Sequence, residues 1–109
     1  MDREKTSRRQ FDAVFRALAD RQRRIVLACL LESERALTIP ELANEVIVRE
    51  DETRETAPPA DEFERVRIEL YHKQLPLLAE SDLVRYGADR DRVEPTDRVD
   101  EIDSFLPVE

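Results

Sequence analysis

Four side chains that can contact nucleic acid recur at helical spacing in the second half of the chain. They are Arg65, Glu69, His72 and Lys73. Steps of four, three and one residues keep them on one face of a helix. Arginine and lysine can contact phosphate or guanine edges, histidine can donate to an acceptor, and glutamate can accept from cytosine N4 or simply repel phosphate. A solvated helix face of mixed charge is the alternative interpretation.

A second cationic group follows Asp20, which can cap a helix that begins there. Arg21, Arg23 and Arg24 lie in the first turn of that helix, where cations oppose the helix dipole. Some other interaction must therefore favour them. Arg21 and Arg23 are candidate phosphate contacts, and ion pairs with acids such as Asp12 and Asp20 are the alternative.

A third group lies in a predicted hairpin turn over residues 87–91. Arg90 and Arg92 can enter a minor groove or contact the DNA backbone. Asp89 and Asp91 flank them, so a hairpin that neutralises its own charge is the competing interpretation.

The rest of the sequence lacks the groups that catalysis or metal binding needs. Cys29 is the single cysteine and lies in an apolar helical run, which is typical of a core position. His72 is the single histidine, which disfavours a histidine–metal cluster. Gly87 is the single glycine, which excludes a Gly-rich phosphate loop. The sequence therefore predicts no enzyme, no cofactor and no metal.

The overall charge is acidic but uneven. The formal net charge is −8, and only two of the 18 basic residues are lysine. This composition is typical of proteins adapted to molar salt, although genomic base composition can also favour arginine. Residues 1–24 and 65–79 are locally basic, whereas residues 50–64 and 80–109 are acidic. The net acidity argues against a nucleic-acid partner, and the basic islands argue for one.

The first half of the chain predicts two helices and a short strand. A capping box at residues 7–10 precedes an apolar stripe over residues 11–18. The helix capped by Asp20 contains the run Ile25–Leu31, which is apolar nearly all round and so belongs at the centre of the domain. Residues 36–38 are predicted to be short and extended.

A third helix and a long loop follow. The capping box of residues 38–41, with Pro40 in the first turn, begins a helix that runs through Ile47. Residues 50–60 are acidic, contain paired prolines and lack an apolar period, so they are predicted to form an exposed, mobile loop. Residues 1–6 are also expected to be mobile.

The candidate DNA contacts near residue 70 belong to a fourth helix that Asp61 can cap. Its apolar positions are Phe63, Val66, Leu70, Tyr71, Leu75 and Leu78. Pro76 lies inside the helix and lacks the N–H that a regular helix needs. We therefore expect a kink or a restart near residues 74–76.

A β-hairpin and a last helix complete the chain. Residues 83–86 and 92–94 are predicted strands, and Pro95 stops the second of them. Thr96 or Asp97 can cap the last helix. The order of elements predicts one α+β domain over residues 1–109: a winged helix-turn-helix with a helical core, a hairpin wing and terminal helices.

Four segments resemble known winged-helix families. ALADRQRRIVL at residues 17–27, LTIPELA at residues 37–43 and QLPLLAESDLV at residues 74–84 resemble ArsR-type transcriptional regulators. LYHKQLPLLA at residues 70–79 is more similar to a haloarchaeal family of small winged-helix domains of unassigned function. The resemblance covers about residues 8–106 and implies a regulator that binds double-stranded DNA. No cysteine pair lies near the third helix, so metal sensing is not implied.

The two terminal helices suggest a homodimer, because similar regulators pair these helices across a two-fold axis. The candidate contacts are Phe11, Phe15, Val99, Ile102, Phe105 and Leu106. Packing of the terminal helices against each other within one chain is the alternative.

Two functions remain open. One is a cytoplasmic, homodimeric transcriptional regulator that binds DNA. The other is a winged-helix module for protein interaction or oligomerisation without DNA readout. A shared surface for the candidate cations would favour DNA, and their dispersal among carboxylates would favour a protein partner. No stretch approaches the roughly 20 apolar residues of a membrane span, so no membrane partner is expected.

Overall fold

In a computed structural model of the chain, the described residues are 12, 14–51, 56–87 and 91–100. Residues 14–18 are helical and belong to a first helix, α1. The elements that follow are α2 (Arg21–Glu32), β1 (Leu37–Thr38), α3 (Ile39–Glu50), α4 (Ala60–Glu69), a π-helical turn (Leu70–Gln74), α5 (Leu75–Glu80), β2 (Val84–Tyr86) and β3 (Arg92–Pro95). The predicted class, a mainly helical α+β fold with a C-terminal hairpin, is confirmed.

Some predicted features lie outside the described residues. These are the N-terminal capping box and mobile segment, the centre of the acidic loop at residues 52–55, and the greater part of the last helix at residues 101–109. Residues 97–100 form a 3-10 turn at the position where the sequence predicts that helix to begin. Among the described helices, none has the length and apolarity needed to cross a membrane.

Helix α2 lies at the centre of the core, as predicted. The Asp20 carboxylate caps it by accepting a hydrogen bond from the Arg23 backbone N–H at 3.1 Å. Every residue from Ile25 to Leu30 is at most 4% exposed, and Cys29 is buried with them. Full burial of one aliphatic side chain contributes about 1.5–3 kcal/mol, so this run is a main source of stability.

The predicted capping box at the start of α3 is also confirmed. The Thr38 hydroxyl accepts from the Glu41 backbone N–H at 3.2 Å, and the Glu41 carboxylate accepts from the Thr38 backbone N–H at 3.0 Å. Pro40 fits the first turn because its missing N–H has no partner to lose there. The buried residues of α3, Leu42, Ala43, Val46 and Ile47, face the core.

Glu41 makes the stability dependent on pH. A hydrogen bond from the Arg35 side chain is the main reason that the pKa of Glu41 is lowered to about 2, and the Thr38 N–H adds to it. Stabilisation from this carboxylate is therefore complete above its ordinary pKa of 4.5 and is lost as the pH falls toward about 2.

We expect the Glu41→Gln variant to lose less stability than the wild type between about pH 6 and about pH 3, because it lacks the shifted group. Urea unfolding at the two pH values measures the difference. Glu80→Gln removes an equal charge from an exposed helix end and is the control. The same acid dependence in wild type and Glu41→Gln would contradict the expectation.

The fourth predicted helix is composite: α4, the π-helical turn and α5 run in series over residues 60–80. The predicted restart near residues 74–76 is confirmed, since α5 begins at Leu75. The Leu75 N–H donates to the Leu70 carbonyl, five residues back, instead of four. This wider turn accommodates Pro76, whose ring would clash with a carbonyl in a regular helix. The predicted Asp61 cap was wrong, because α4 begins at Ala60 with Pro59 at the N-cap.

Three strands form an antiparallel sheet in the order β1–β3–β2. Leu37 of β1 and Tyr86 of β2 both pair with Val93 of β3. The sequence predicted that β3 would stop before Pro95. In the structure Pro95 is instead the last residue of β3 and pairs with Val84. The hairpin is thereby fixed to the helical core through β1.

Candidate nucleic-acid interface

The composite helix presents the candidate contacts on a partly apolar face. Arg65, His72 and Lys73 are exposed and Glu69 is half-buried. Ile68 and Tyr71 lie on the same side of the helix and are 49% and 48% exposed. The sequence prediction included Tyr71 in the apolar series and did not single out Ile68. The exposed face is thus a mixture of cations and large apolar side chains.

The π-helical turn exposes three successive side chains, Tyr71, His72 and Lys73, between buried Leu70 and buried Gln74. The rings of Tyr71 and His72 meet edge to face, with centroids 4.8 Å apart. A π-helical turn within an α-helix is frequently found at a functional site. Here it makes this part of the helix accessible over a wide arc.

Several cations elsewhere in the fold are paired with carboxylates, although the exposed Arg16 has no carboxylate within 4.0 Å among the described residues. Arg67 pairs with Glu64 at 2.8 Å, and Arg85 pairs with Glu94 at 2.9 Å. Arg35 pairs with Glu41 in the same manner. These pairs involve one arginine each from α4, β2 and the segment before β1.

Four of the predicted DNA contacts differ from these paired arginines because they have no carboxylate partner among the described residues. Within the described part of the chain, Arg21, Arg65, Lys73 and Arg92 are exposed and have no carboxylate within 4.0 Å. Their positive charge is available to an external anion. The alternative of a solvated helix face of mixed charge stays open for Arg65 and Lys73. The alternative of a hairpin that neutralises its own charge also stays open, because Asp89 and Arg90 lie outside the described residues.

The prediction that Arg23 contacts phosphate was wrong. Its side chain is buried, with the residue 8% exposed. Its guanidinium donates to the Ala17 carbonyl at 3.1 Å, to the Arg16 carbonyl at 2.7 Å and to the Gln74 side chain at 3.2 Å. It also lies 3.8 Å from the Asp20 carboxylate, which is the ion pair that the sequence left as an alternative. Arg23 therefore stabilises the fold and cannot contact DNA.

The same network joins the two segments of chain that carry Arg21 and Lys73. The Gln74 side-chain amide donates to the Gln22 side chain at 2.8 Å, which joins the π-helical turn to the start of α2. Arg21 and Lys73 each precede one of these glutamines in sequence. Gln22 also donates to the Glu50 carboxylate at 3.2 Å, so one acid lies at this junction.

We expect Arg23→Ala to lower the free energy of unfolding by about 2 kcal/mol, because the buried Ala17 carbonyl, the partly buried Arg16 carbonyl and the Gln74 amide oxygen lose their donor. Urea unfolding at neutral pH measures the change. Arg21→Ala removes the same charge from an exposed neighbouring position and should change stability by at most about 0.5 kcal/mol. Equal stabilities of the two variants would contradict the structural role of Arg23.

Only part of the predicted wing is described. Arg92 is exposed at the start of β3, and its carbonyl accepts from the Gly87 N–H at 2.8 Å. Arg90 lies outside the described residues. The hairpin follows the composite helix in the chain. Among its described residues it has one cation without a carboxylate partner, Arg92.

Of the six predicted dimer contacts, two lie within the described residues, and they differ in exposure. Phe15 on α1 is 57% exposed. Val99 is a second correction: it is 0% exposed and packs in the core of its own chain, so it is not available to a partner. Phe11, Ile102, Phe105 and Leu106 lie outside the described residues.

Comparison with known proteins gives a family but no described function. The family model for DUF7344, a domain of unknown function, matches residues 15–94, which is well over half of the 109-residue chain. The chain belongs to the DUF7344 family. The matched region contains α2, the composite helix and the described cations Arg21, Arg65, Lys73 and Arg92. No curated protein and no solved structure matches the chain.

Proposed function

We propose that this DUF7344 domain is a transcriptional regulator that binds double-stranded DNA, with the composite helix in the major groove and the β2–β3 hairpin as a wing. The observation that supports this proposal most strongly is that two sets of surface cations differ in whether a carboxylate neutralises them. Arg21, Arg65, Lys73 and Arg92 lack carboxylate partners among the described residues, whereas Arg67 and Arg85 are paired. Three of these unpaired cations, Arg65, Lys73 and Arg92, lie on the composite helix and the hairpin, which fits an external polyanion at these two elements.

The net charge of −8 sets how binding must occur. Like charge repels DNA at long range, so attraction has to come from a few local cations. At molar salt the gain from counterion release is small. Shape fit and direct contacts to base edges must then supply most of the affinity.

In this proposal the active unit is a homodimer. The resemblance to regulators that pair their terminal helices across a two-fold axis is the reason for this part of the proposal. A two-fold dimer would bind two half-sites about 10 base pairs apart, one turn of the duplex. Sedimentation equilibrium at molar salt tests the dimer, and a monomer both with and without DNA would contradict it.

Selection from a random duplex library at molar salt tests the proposal. We expect enrichment of a palindromic sequence that competes with unrelated DNA by at least about 1,000-fold. Failure to enrich any sequence, at molar or at lower salt, would contradict DNA readout and favour the alternative of a protein-interaction module.

A further inference from the structure

Two large apolar side chains on the composite helix are exposed although the same helix buries others completely. Ile68 is 49% exposed and Tyr71 is 48% exposed, whereas Leu70 between them is 0% exposed. Ile68 lies three residues after Arg65 and four before His72, so these three share one face. The fold gains little from these two side chains, and the apolar patch they form is available to a ligand.

We propose that Ile68 and Tyr71 recognise thymine by apolar contact with its C5 methyl group in the major groove. The inference rests on the proposed function. Thymine is the base that presents a methyl group there, and apolar side chains are suited to contact it. The patch would therefore make the domain selective for sites with thymine at defined positions.

The charges around the patch favour DNA as its occupant. Arg65 precedes Ile68 by one turn and Lys73 follows Tyr71 by two residues, and neither has a carboxylate within 4.0 Å in the described structure. A helix in the major groove has phosphates on both sides and base edges at its centre. Along the chain, Arg65 precedes the two apolar residues and Lys73 follows them, so the helix carries cations for phosphate contact on either side of the patch in sequence.

The acidic residues at the start of the composite helix favour a DNA contact through the middle of the helix rather than through its first turn. Asp61 and Glu62 lie in the first turn of α4, where they favour the helix but repel phosphate. Glu64 is neutralised by Arg67. The segment from Arg65 to Lys73 has one acidic residue, the half-buried Glu69, against two exposed cations, and Ile68 and Tyr71 lie within it.

The π-helical turn supports the same assignment. It exposes Tyr71 together with His72 and Lys73, and the rings of Tyr71 and His72 meet edge to face with centroids 4.8 Å apart. A tyrosine ring supplies a large contact area with only two side-chain torsions to order, which suits it to contact a methyl group at a base edge.

Deoxyuridine substitution in the selected duplex tests the inference, because deoxyuridine differs from thymidine only in lacking the methyl group. Fluorescence anisotropy at molar salt is measured for duplexes with single replacements. We expect the wild type to lose about 4-fold in affinity for each contacted thymine. Ile68→Ala and Tyr71→Ala should bind the thymine duplex more weakly and be indifferent to replacement at the position each one contacts.

Val48→Ala is the matched control. Val48 is 53% exposed on α3, so its truncation also removes an exposed apolar group. It should keep the full preference for thymine. Circular dichroism checks that Ile68→Ala and Tyr71→Ala are folded, which their half-exposed positions favour.

The outcomes separate this inference from the proposed function. Specific DNA binding with equal affinity for thymine and deoxyuridine at every position would overturn the role of the patch and leave the regulator intact. A thymine preference that survives in both alanine variants would overturn it as well. If no duplex is bound specifically, the proposed function and this inference both fail. Loss of self-association in Ile68→Ala without a change in DNA affinity would make the patch a protein contact.

Discussion

Replacing Arg65 and Lys73 together by alanine is expected to lower the affinity for a selected duplex by about 100-fold or more. Both side chains are exposed and have no carboxylate partner within the described residues, so their charges are available to DNA. A hydrogen bond to a charged group contributes about 1.5–3 kcal/mol, and the double variant loses two. Fluorescence anisotropy at molar salt measures the loss.

The double variant Arg67→Ala/Arg85→Ala is the matched control for that experiment. It changes the net charge by the same amount, but its two arginines are already paired with Glu64 and Glu94. We expect a loss of less than about 5-fold, as for surface ion pairs worth at most about 1 kcal/mol. Equal losses in the two double variants would show that affinity follows net charge rather than a defined face.

The largest expected effect on stability is that of Leu70→Ala. Leu70 is 0% exposed and lies where α4 passes into the π-helical turn. Removing a buried leucine side chain costs about 3 kcal/mol through lost burial and the cavity left behind. That is a large share of the roughly 5–15 kcal/mol that stabilises a domain of this size. Urea unfolding at high salt measures it.

Ile68→Ala provides the comparison for Leu70→Ala on the same helix. Because Ile68 is 49% exposed, its truncation should cost less than about 1 kcal/mol. A similar loss for both variants would contradict the orientation of the composite helix, since it would mean that Ile68 is also packed in the core.

Elements fixed by local contacts were predictable from the sequence. The Asp20 cap and the Thr38–Glu41 capping box each depend on residues three positions apart, and both are present. The restart before Pro76 follows from the missing N–H of proline. The central position of the run Ile25–Leu31 follows from its apolar composition, although Leu31 itself is half-buried.

The site was less predictable because it depends on distant contacts and on helical phase. Arg23 is bonded to Gln74, 51 residues away, and nothing in the local sequence indicates that pair. A projection at 100° per residue fails from Leu70 onward because the π-helical turn is wider, and this is why Tyr71 was assigned to the apolar series. The burial of Val99 follows from the packing of a C-terminal turn against the core, which spacing alone does not show.

Nuclear magnetic resonance of the uniformly 15N-labelled domain, titrated with a selected duplex at molar salt, tests the central claim most directly. We predict saturable shifts of the backbone amides from Arg65 to Lys73, accompanied by Arg92, with unrelated duplex giving much smaller changes. Saturable shifts confined to α1 and α3, or no difference between the selected and the unrelated duplex, would contradict DNA recognition by the composite helix.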